Sequence, residues 1–203
     1  AYDMLTSLGH QQAKWIGEYL VQTGANFDKI YSGTLRRQIE TAQGLNQFQL
    51  PHIKDKRLNE LDYFGLAHNL QDRHAVPFPE TQEEFSKQIK TILQYWKLDK
   101  ISSPIESFKT FHYRILEIVR ELSMSNEKIL IVSSTGVIAS LFGELLNIEL
   151  KHRVKLFLGV AHTSLHLSGS HCSLRVLLSS RDTFLCYHTT ILTSSVLMVS
   201  EPP

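Results

Sequence analysis

The sequence predicts an α/β domain in which helices cover both faces of a mostly parallel sheet, giving three layers. Three observations predict this fold class. Segments of strand and helix character alternate along the chain. Residues 128–133 form a continuous apolar run rich in β-branched side chains, which is typical of a strand buried on both faces. Residues 80–97 and 105–123 carry apolar side chains at intervals of three and four, as helices packed on a sheet do.

Length and composition fit a single domain, which we expect to comprise residues 1–203. Of the 203 residues, 42% are hydrophobic and 20% are charged, and a chain of this size buries roughly 70% of its unfolded surface. The 21 basic and 20 acidic residues leave a net charge of +1, which argues against a broadly cationic nucleic-acid-binding surface. The apolar residues 191–199 are too few to span a membrane. We therefore expect no membrane partner and a C-terminal tail over residues 186–203, in which residues 191–199 form either a strand or a frayed end.

The first part of the chain predicts a helix, a strand and a second helix. Apolar residues recur at helical spacing after Thr6, whose hydroxyl is a suitable N-cap, and Gly24 is a suitable stop. Residues 27–32 then predict a short strand. A glycine and a threonine end that strand, and residues 35–48 predict the second helix.

The elements after the second helix are less regular. Residues 57–65 have no clean period, and residues 68–79 predict a loop before the two long helices described above. The buried strand is followed by a predicted helix at residues 137–146. The last third alternates in polarity and therefore predicts three more strands, at residues 154–160, 163–167 and 174–178.

The cysteines and the first residues bear on the cellular setting. Cys172 and Cys186 are too few for a disulfide framework, so a reducing compartment and a cytoplasmic location are expected. The sequence opens at Ala1 with neither a start methionine nor a secretory leader. We therefore expect further residues upstream in the intact protein.

Chemistry is expected at two corners where a predicted strand runs into a predicted helix. Residues 32–37 carry Arg36 and Arg37, whereas residues 133–136 carry hydroxyls and a glycine. Helix N-termini offer amides and partial positive charge to an anion, and an arginine adds a fork that matches phosphate. Ligands of parallel sheets bind outside the carboxyl ends of the strands, so the two corners are predicted to hold one phosphate between them. The alternative is that Ser134 and its neighbours simply cap helices.

Several charged and histidine side chains have a simpler interpretation. Arg36 and Arg37 are adjacent and cannot both face one pocket, so at least one is expected on the surface. On composition alone, Glu60 is an ordinary loop carboxylate. The ten histidines show no metal-ligand spacing, so we predict no metal and no cofactor.

Five segments, taken in order, resemble motifs of the histidine phosphatase (phosphoglycerate mutase-like) superfamily. Residues 5–13 resemble its "L-T-x-L-G-x-x-Q-A" opening, and residues 31–42 its "S-x-L-x-R-x-x-x-T-A" segment. Residues 58–60 match "L-x-E". Residues 105–114 are similar to "G-E-S-x-x-x-F-x-x-R", and residues 131–138 stand where the family has "V-S-H-G-G-V-I". The resemblance implies a phosphoglycerate mutase-like fold.

The resemblance also implies a mechanism. In that family a histidine of an Arg-His-Gly motif on the first strand attacks phosphorus. Arginines and a second histidine bind the phosphoryl oxygens, and a carboxylic acid protonates the leaving oxygen. Carried across, Glu60 is the acid, and Arg37, Ser134 and Thr135 bind phosphate. Ser134 replaces the second histidine and Thr135 a glycine. The chain contains no Arg-His-Gly, so the first strand, which lies in the middle of the family's sheet, is expected upstream of Ala1.

Two functions are compatible with these residues. The leading hypothesis is a phosphatase or phosphomutase that acts on a small phosphorylated metabolite through a phosphohistidine, with hydrolysis favoured over mutase activity. The alternative is an impaired pseudo-phosphatase that serves as a phosphate-binding or interaction module, because Ser134 and Thr135 depart from the motif. Exposed edge strands in the last third would let two copies pair, so a homodimer is a further expectation.

Overall fold

The computed structural model describes residues 3–101, 104–160, 164–169, 176–177 and 194–200, and these form a six-stranded sheet with helices on both faces. The strands are β1 (Lys29–Ser32), β2 (His52–Lys54), β3 (Ile129–Ser134), β4 (Leu165–Gly169), β5 (Val176–Leu177) and β6 (Ser194–Ser200). The helices are α1 (Ser7–Gln22), α2 (Arg36–Leu45), α3 (Tyr63–His74), α4 (Gln82–Lys97), α5 (Phe108–Ser123), α6 (Thr135–Leu145) and α7 (Leu150–Gly159). A short 3-10 turn covers Lys56–Leu58.

The strand order brings the two strand-to-helix corners to the same edge of the sheet. Across the sheet the order is β2-β1-β3-β6-β4-β5. β1 pairs in parallel with both β2 and β3, and Ser32 lies opposite Val132. β6 runs antiparallel to β3 and parallel to β4, and β5 is antiparallel to β4. Because β1 and β3 are parallel neighbours, their carboxyl ends lie side by side, and the helices that follow the two strands begin next to each other.

β3 separates two apolar layers, which confirms the three-layer prediction. Its Ile129 and Ile131 pack with side chains from α3 to α7, and its Leu130 and Val132 pack with side chains from α1 and α2. All six residues of the strand are buried. A fully buried aliphatic side chain contributes about 1.5–3 kcal/mol, so this strand anchors both faces of the molecule.

The predicted ends of the first helix are confirmed. The Thr6 hydroxyl accepts a hydrogen bond from the amide of Gly9 at 3.0 Å. At the other end Gly24 has φ 71°, a left-handed conformation that a residue without Cβ adopts easily. The Ala25 amide then donates to the Leu20 carbonyl at 3.0 Å, which closes the last turn.

The predicted loop at residues 68–79 is wrong over its first half, because α3 continues to His74. The Asp62 carboxylate caps this helix by accepting from the Gly65 amide at 2.9 Å. Its buried positions follow helical spacing: Tyr63, Leu66, Ala67 and Leu70. Only one face of this helix is apolar, and the many polar side chains between the buried positions made their helical spacing difficult to recognise in the sequence.

The strand predicted at residues 154–160 is also wrong, because this segment belongs to α7. Its high content of apolar residues resembles a strand, but the buried ones in the helix are Val154 and Phe157, which are three apart. The short β2 was not predicted at all. A strand of three residues carries too little pattern to be separated from a loop.

The last described segments overlap two predicted strands and include a strand within the predicted tail, which was one of its two expected forms. β4 and β5 overlap the strands predicted at residues 163–167 and 174–178. Within the predicted tail at residues 186–203, Ser194–Ser200 form β6, which lies between β3 and β4. These seven residues therefore belong to the sheet. Cys172 and Cys186 lie outside the described residues.

Candidate functional site

The two strand-to-helix corners are joined by a buried glutamine. Gln38, in the first turn of α2, donates from Nε2 to the Ser134 hydroxyl at 2.8 Å and to the Leu58 carbonyl at 3.1 Å. The Ser133 hydroxyl donates to the same carbonyl at 2.8 Å. Gln38 and Ser134 are fully buried. The corners after β1 and β3 therefore meet at the loop that leads to Glu60.

The carboxylate of Glu60 lies at the N-terminus of α6. Its Oε2 accepts from the Gly136 amide at 2.8 Å, and its Oε1 accepts from the Leu61 amide at 2.9 Å. The side chain is only 7% exposed. Burial raises the pKa of Glu60, although the two amides and the charges of Arg37 and Arg114 act in the opposite direction. Glu60 is therefore protonated more readily than an ordinary glutamate.

Close backbone approaches fix the turn after β1 against the same loop. The Thr34 amide donates to Asn59 Oδ1 at 2.6 Å, and Asn59 Nδ2 donates to the Thr34 hydroxyl at 2.8 Å. A Cβ at Gly33 would overlap the side chain of Gln38 and lie 2.6 Å from Asn59 Oδ1. The glycine is required here by lack of space.

Arg37 is buried and its charge acts on Glu60, whereas the Arg36 side chain is exposed. Arg37 is 3% exposed and donates from NH1 to Asp3 Oδ1 at 2.8 Å. The Asp3 carboxylate also accepts from the amides of Arg36, at 2.8 Å, and Arg37, at 3.4 Å. The Arg36 side chain is 59% exposed and bonds to Glu40. A carboxylate thus occupies the N-terminus of α2, where the sequence predicts an anion.

The hydroxyl of Ser134 is not used for capping. Ser134 is the N-cap residue of α6, yet its side chain makes no capping hydrogen bond, and its oxygen accepts from Gln38 instead. Thr135 begins α6 and is partly exposed beside it. The alternative that Ser134 merely caps the helix is therefore wrong for its side chain.

Comparison with known proteins identifies the family. The family description "Histidine phosphatase superfamily (branch 1)" matches residues 4–179. The chain belongs to the histidine phosphatase superfamily.

Curated relatives of this chain include phosphoglycerate mutases. The chain is 37% identical over 82 residues to a 2,3-bisphosphoglycerate-dependent phosphoglycerate mutase of Brucella anthropi, a match that covers 38% of this chain and 40% of the relative. An enzyme of the same name from Bartonella tribocorum is 34% identical over 92 residues, covering 43% and 45%. These matches span less than half the length of either relative.

Solved structures share the fold. Bacillus stearothermophilus YhfR aligns with a TM-score of 0.59 at 23% identity, over 88% of this chain and 85% of that one. A putative α-ribazole-5'-P phosphatase of Escherichia coli aligns with a TM-score of 0.54 at 25% identity, over 73% of this chain and 70% of that one. The phosphoglycerate mutase-like fold class predicted from the sequence is confirmed.

Arg114 contributes to this site in a way that sequence reasoning missed. Its guanidinium binds both carboxylate oxygens of Glu106, at 2.8 and 2.9 Å. From NH1 it also donates to the carbonyls of Arg57, at 2.6 Å, and Asn59, at 2.8 Å. It therefore holds the loop that carries Glu60. The motif at residues 105–114 pointed to Arg114 but not to this role.

Two other contributors, Asp3 and Gln38, lacked a signal in the sequence. Asp3 is 34 residues from Arg37, and Gln38 is 96 residues from Ser134. No local sequence pattern around either residue predicts its partner. Only the tertiary fold brings them into the site.

Neither a membrane-spanning helix nor a metal-binding cluster occurs in the part of the chain that the structure describes. No helix there is both long and apolar enough to cross a bilayer. Within the same residues, His, Cys, Asp and Glu side chains form no group of three or more that could hold a metal ion.

Proposed function

We propose that the intact protein transfers or hydrolyses the phosphoryl group of a small phosphate ester, and that this chain supplies its phosphate-binding and acid residues. In this proposal Arg37, Ser134 and Thr135 bind the phosphoryl oxygens, and Glu60 protonates the leaving oxygen. One observation carries the proposal. Two helix N-termini and a buried carboxyl group are joined through the contacts of Gln38 and Glu60, and the buried Arg37, whose charge acts on Glu60, lies in the first turn of one of these helices.

The charges of the site suit each step of this reaction. The Arg37 guanidinium and the helix N-termini would neutralise the phosphoryl oxygens. As the bond from phosphorus to the leaving oxygen breaks, the Glu60 proton passes to that oxygen and the phosphoryl group passes to the nucleophile. The raised pKa of Glu60 supports this role because a general acid must hold its proton near its working pH. The family resemblance implies a histidine nucleophile in an Arg-His-Gly motif, which the chain itself does not contain.

A second candidate function is phosphate binding without turnover. Ser134 and Thr135 carry neutral hydroxyls where the family motif has a histidine and a glycine. In addition, the Arg37 guanidinium already donates a hydrogen bond to the Asp3 carboxylate. Both features reduce the positive charge available to a transition state. In this alternative the protein is a pseudo-phosphatase whose site recognises a phosphorylated ligand.

The setting of the protein is part of the proposal. A small phosphorylated metabolite suits a site of this kind, and the low cysteine content supports a cytoplasmic location. The homodimer stays a prediction. β2 and β5 are the edges of the described sheet at which a second copy would pair.

Binding of inorganic phosphate tests the proposal, with adjacent arginines as the matched pair. We expect Arg37→Ala to weaken phosphate binding by about tenfold to a hundredfold, which is the loss of one charge-assisted hydrogen bond. Arg36→Ala should leave the affinity within twofold, because its side chain bonds to Glu40 outside the site. Isothermal titration calorimetry gives both affinities, and a melting curve of each variant shows whether it is folded. Arg37→Lys retains the charge without the fork and should give an intermediate affinity.

The same titration decides against the proposal if the two alanine variants bind phosphate equally, or if the unmodified chain binds none. Turnover separates the two candidate functions. Intact protein that binds phosphate through Arg37 but releases no leaving group in a burst from an activated ester is the pseudo-phosphatase.

A further inference from the structure

Three successive backbone carbonyls just before Glu60 are held by side chains from other elements. Arg114 of α5 donates from NH1 to the first and third of them, the carbonyls of Arg57, at 2.6 Å, and Asn59, at 2.8 Å. The carbonyl between them accepts from side chains of α2 and β3. Supporting hydrogen bonds of this kind keep a functional side chain in one geometry. The proposed acid is therefore positioned from three elements, and Arg114 supplies two of the bonds.

Arg114 is itself held in place by its neighbours. Its Nε and NH2 donate to the two carboxylate oxygens of Glu106, at 2.8 and 2.9 Å. The guanidinium carbon lies 4.6 Å from the centroid of the Phe111 ring, as in a cation–π contact. Glu106 is fixed in turn, because its carbonyl accepts from Trp96 Nε1 at 2.6 Å. A bidentate pair of arginine and carboxylate has a defined geometry, so Glu106 determines where the Arg114 guanidinium lies.

A cation that positions an acid also acts on its proton. Burial raises the pKa of Glu60, whereas two amide hydrogen bonds and the charges of Arg37, on α2, and Arg114, on α5, lower it. A general acid that lost its proton too early could not protonate a leaving oxygen. An unbalanced guanidinium at the place of Arg114 would therefore weaken the acid that it positions.

The Glu106 carboxylate balances the charge of Arg114. The two side chains form an ion pair, and they are only 16% and 31% exposed, in the order Arg114 and Glu106. Water and salt screen partly buried charges less than exposed ones, so the negative charge of Glu106 reduces the field of Arg114 at Glu60. The Arg57 guanidinium on the same loop is likewise matched by carboxylates of its own.

We propose that Arg114 and Glu106 are positioning residues for the acid: Arg114 holds the loop of Glu60 in place, and Glu106 balances the Arg114 charge so that Glu60 keeps its proton until the leaving oxygen receives it. This inference rests on the proposed function, in which Glu60 is that acid. Neither residue of the pair touches the substrate or takes part in the proton transfer. The pair acts only through the place and the acid strength of Glu60.

Neutralising each member of the pair tests the proposal, because the two changes should have opposite effects. The Gly136 amide donates to Glu60 Oε2, so its NMR shift in the ¹⁵N-labelled chain follows the titration of this carboxyl group with pH, and Glu60→Gln should abolish the response. Arg114→Gln removes the charge but keeps an amide donor for the loop, so the titration midpoint should move to higher pH. Glu106→Gln keeps an acceptor for Arg114 but exposes Glu60 to its full charge, so the midpoint should move to lower pH.

Three further variants serve as controls. Arg114→Lys keeps the charge without the fork, so its midpoint should lie closer to that of the unmodified chain than the midpoint of Arg114→Gln does. Arg120→Gln removes an exposed charge from the same helix and should leave the midpoint unchanged. Glu127→Gln should also leave it unchanged, because Glu127 precedes β3 and Gly136 follows the other end of that strand. Melting curves show whether each variant is folded.

The outcomes separate this inference from a structural role and from the proposed function. If the pair only stabilised the loop, either variant would admit water to Glu60, and both midpoints would move in the same direction. Shifts of the same sign, or no shift in either variant, therefore overturn the inference alone, provided that inorganic phosphate still binds. Glu106→Gln should bind phosphate within twofold of the unmodified chain. If the unmodified chain binds no phosphate, the proposed function fails and this inference fails with it, whatever the midpoints show.

Discussion

Two helix N-termini at this site each hold a carboxylate, but in different surroundings. At α2, Asp3 accepts from two backbone amides and from the Arg37 guanidinium, and its side chain is 41% exposed. At α6, Glu60 accepts from the Gly136 amide and is 7% exposed. The first carboxylate has a cation beside it and water around it. The second is enclosed, and burial raises its pKa.

The comparison indicates how one geometry can serve two chemical roles. A partly exposed carboxylate on a helix N-terminus marks a place where an anion is favoured and where a phosphate oxygen would compete. An enclosed carboxyl group is poised to hold a proton and deliver it. Burial, more than hydrogen-bond geometry, separates the two.

The largest expected effect comes from closing the space at the α6 terminus. A Cβ at Gly136 would overlap Glu60 Oε1 and lie 2.9 Å from Leu61 Cδ2. Gly136→Ala should therefore displace the Glu60 carboxyl and lower the free energy of unfolding by about 1–3 kcal/mol. Gly159→Ala is the control, since a Cβ there meets nothing within 4 Å. Urea denaturation compares them, and equal stability of the two variants would show that Glu60 is not confined as described.

An effect that depends on pH should follow from the enclosed carboxyl group. The pKa of Glu60 is raised above 4.5 in the folded protein, so between 4.5 and the raised value the folded state binds more protons than the unfolded state. Stability must then fall as pH rises through this window, by at most about 1.4 kcal/mol per pH unit. Glu60→Gln does not titrate and lacks this loss. The melting temperature of the unmodified chain should therefore exceed that of Glu60→Gln by the largest margin at low pH and by less at neutral pH. If the difference between the two melting temperatures does not change with pH, the raised pKa of Glu60 is contradicted.

The smallest expected effect comes from the exposed carboxylate of Asp3, whose removal should raise the affinity for phosphate but lower the stability of the fold. Asp3→Asn removes a negative charge beside Arg37, so phosphate should bind about threefold more tightly. The same change weakens the cap on α2, and exposure keeps the loss of stability to about 0.5–1 kcal/mol. Asp72→Asn, at an exposed position of α3, is the charge-matched control. If Asp3→Asn lowers both affinity and stability, Asp3 only positions Arg37 and does not compete with phosphate.

The sequence predicted the parts of this site that depend on local pattern. The run at residues 128–133 requires a buried strand, and the polar turn after it requires a helix start. The motif resemblance then pointed to Arg37, Glu60, Ser134 and Thr135, whose roles stay proposals. The pairing of Asp3 with Arg37 and of Gln38 with Ser134 could not be predicted, because these contacts join distant segments.

The two wrong secondary-structure predictions have a common cause. In α3 the apolar face is narrow and the other residues are polar, so the helix resembled a loop. In α7 a short apolar segment around Val154 and Phe157 resembled a strand. Both helices are short, at 12 and 10 residues, and are stabilised by tertiary packing more than by their own pattern.

The central claim, that both corners form one anion site, is tested most directly by titrating the ¹⁵N-labelled chain with inorganic phosphate and following the backbone amides by NMR. The amides of Arg37 and Gly136 should shift together and fit a single dissociation constant, while Gly24, in the turn after α1, should not move. Shifts at only one corner, or two clearly different dissociation constants, would contradict the account.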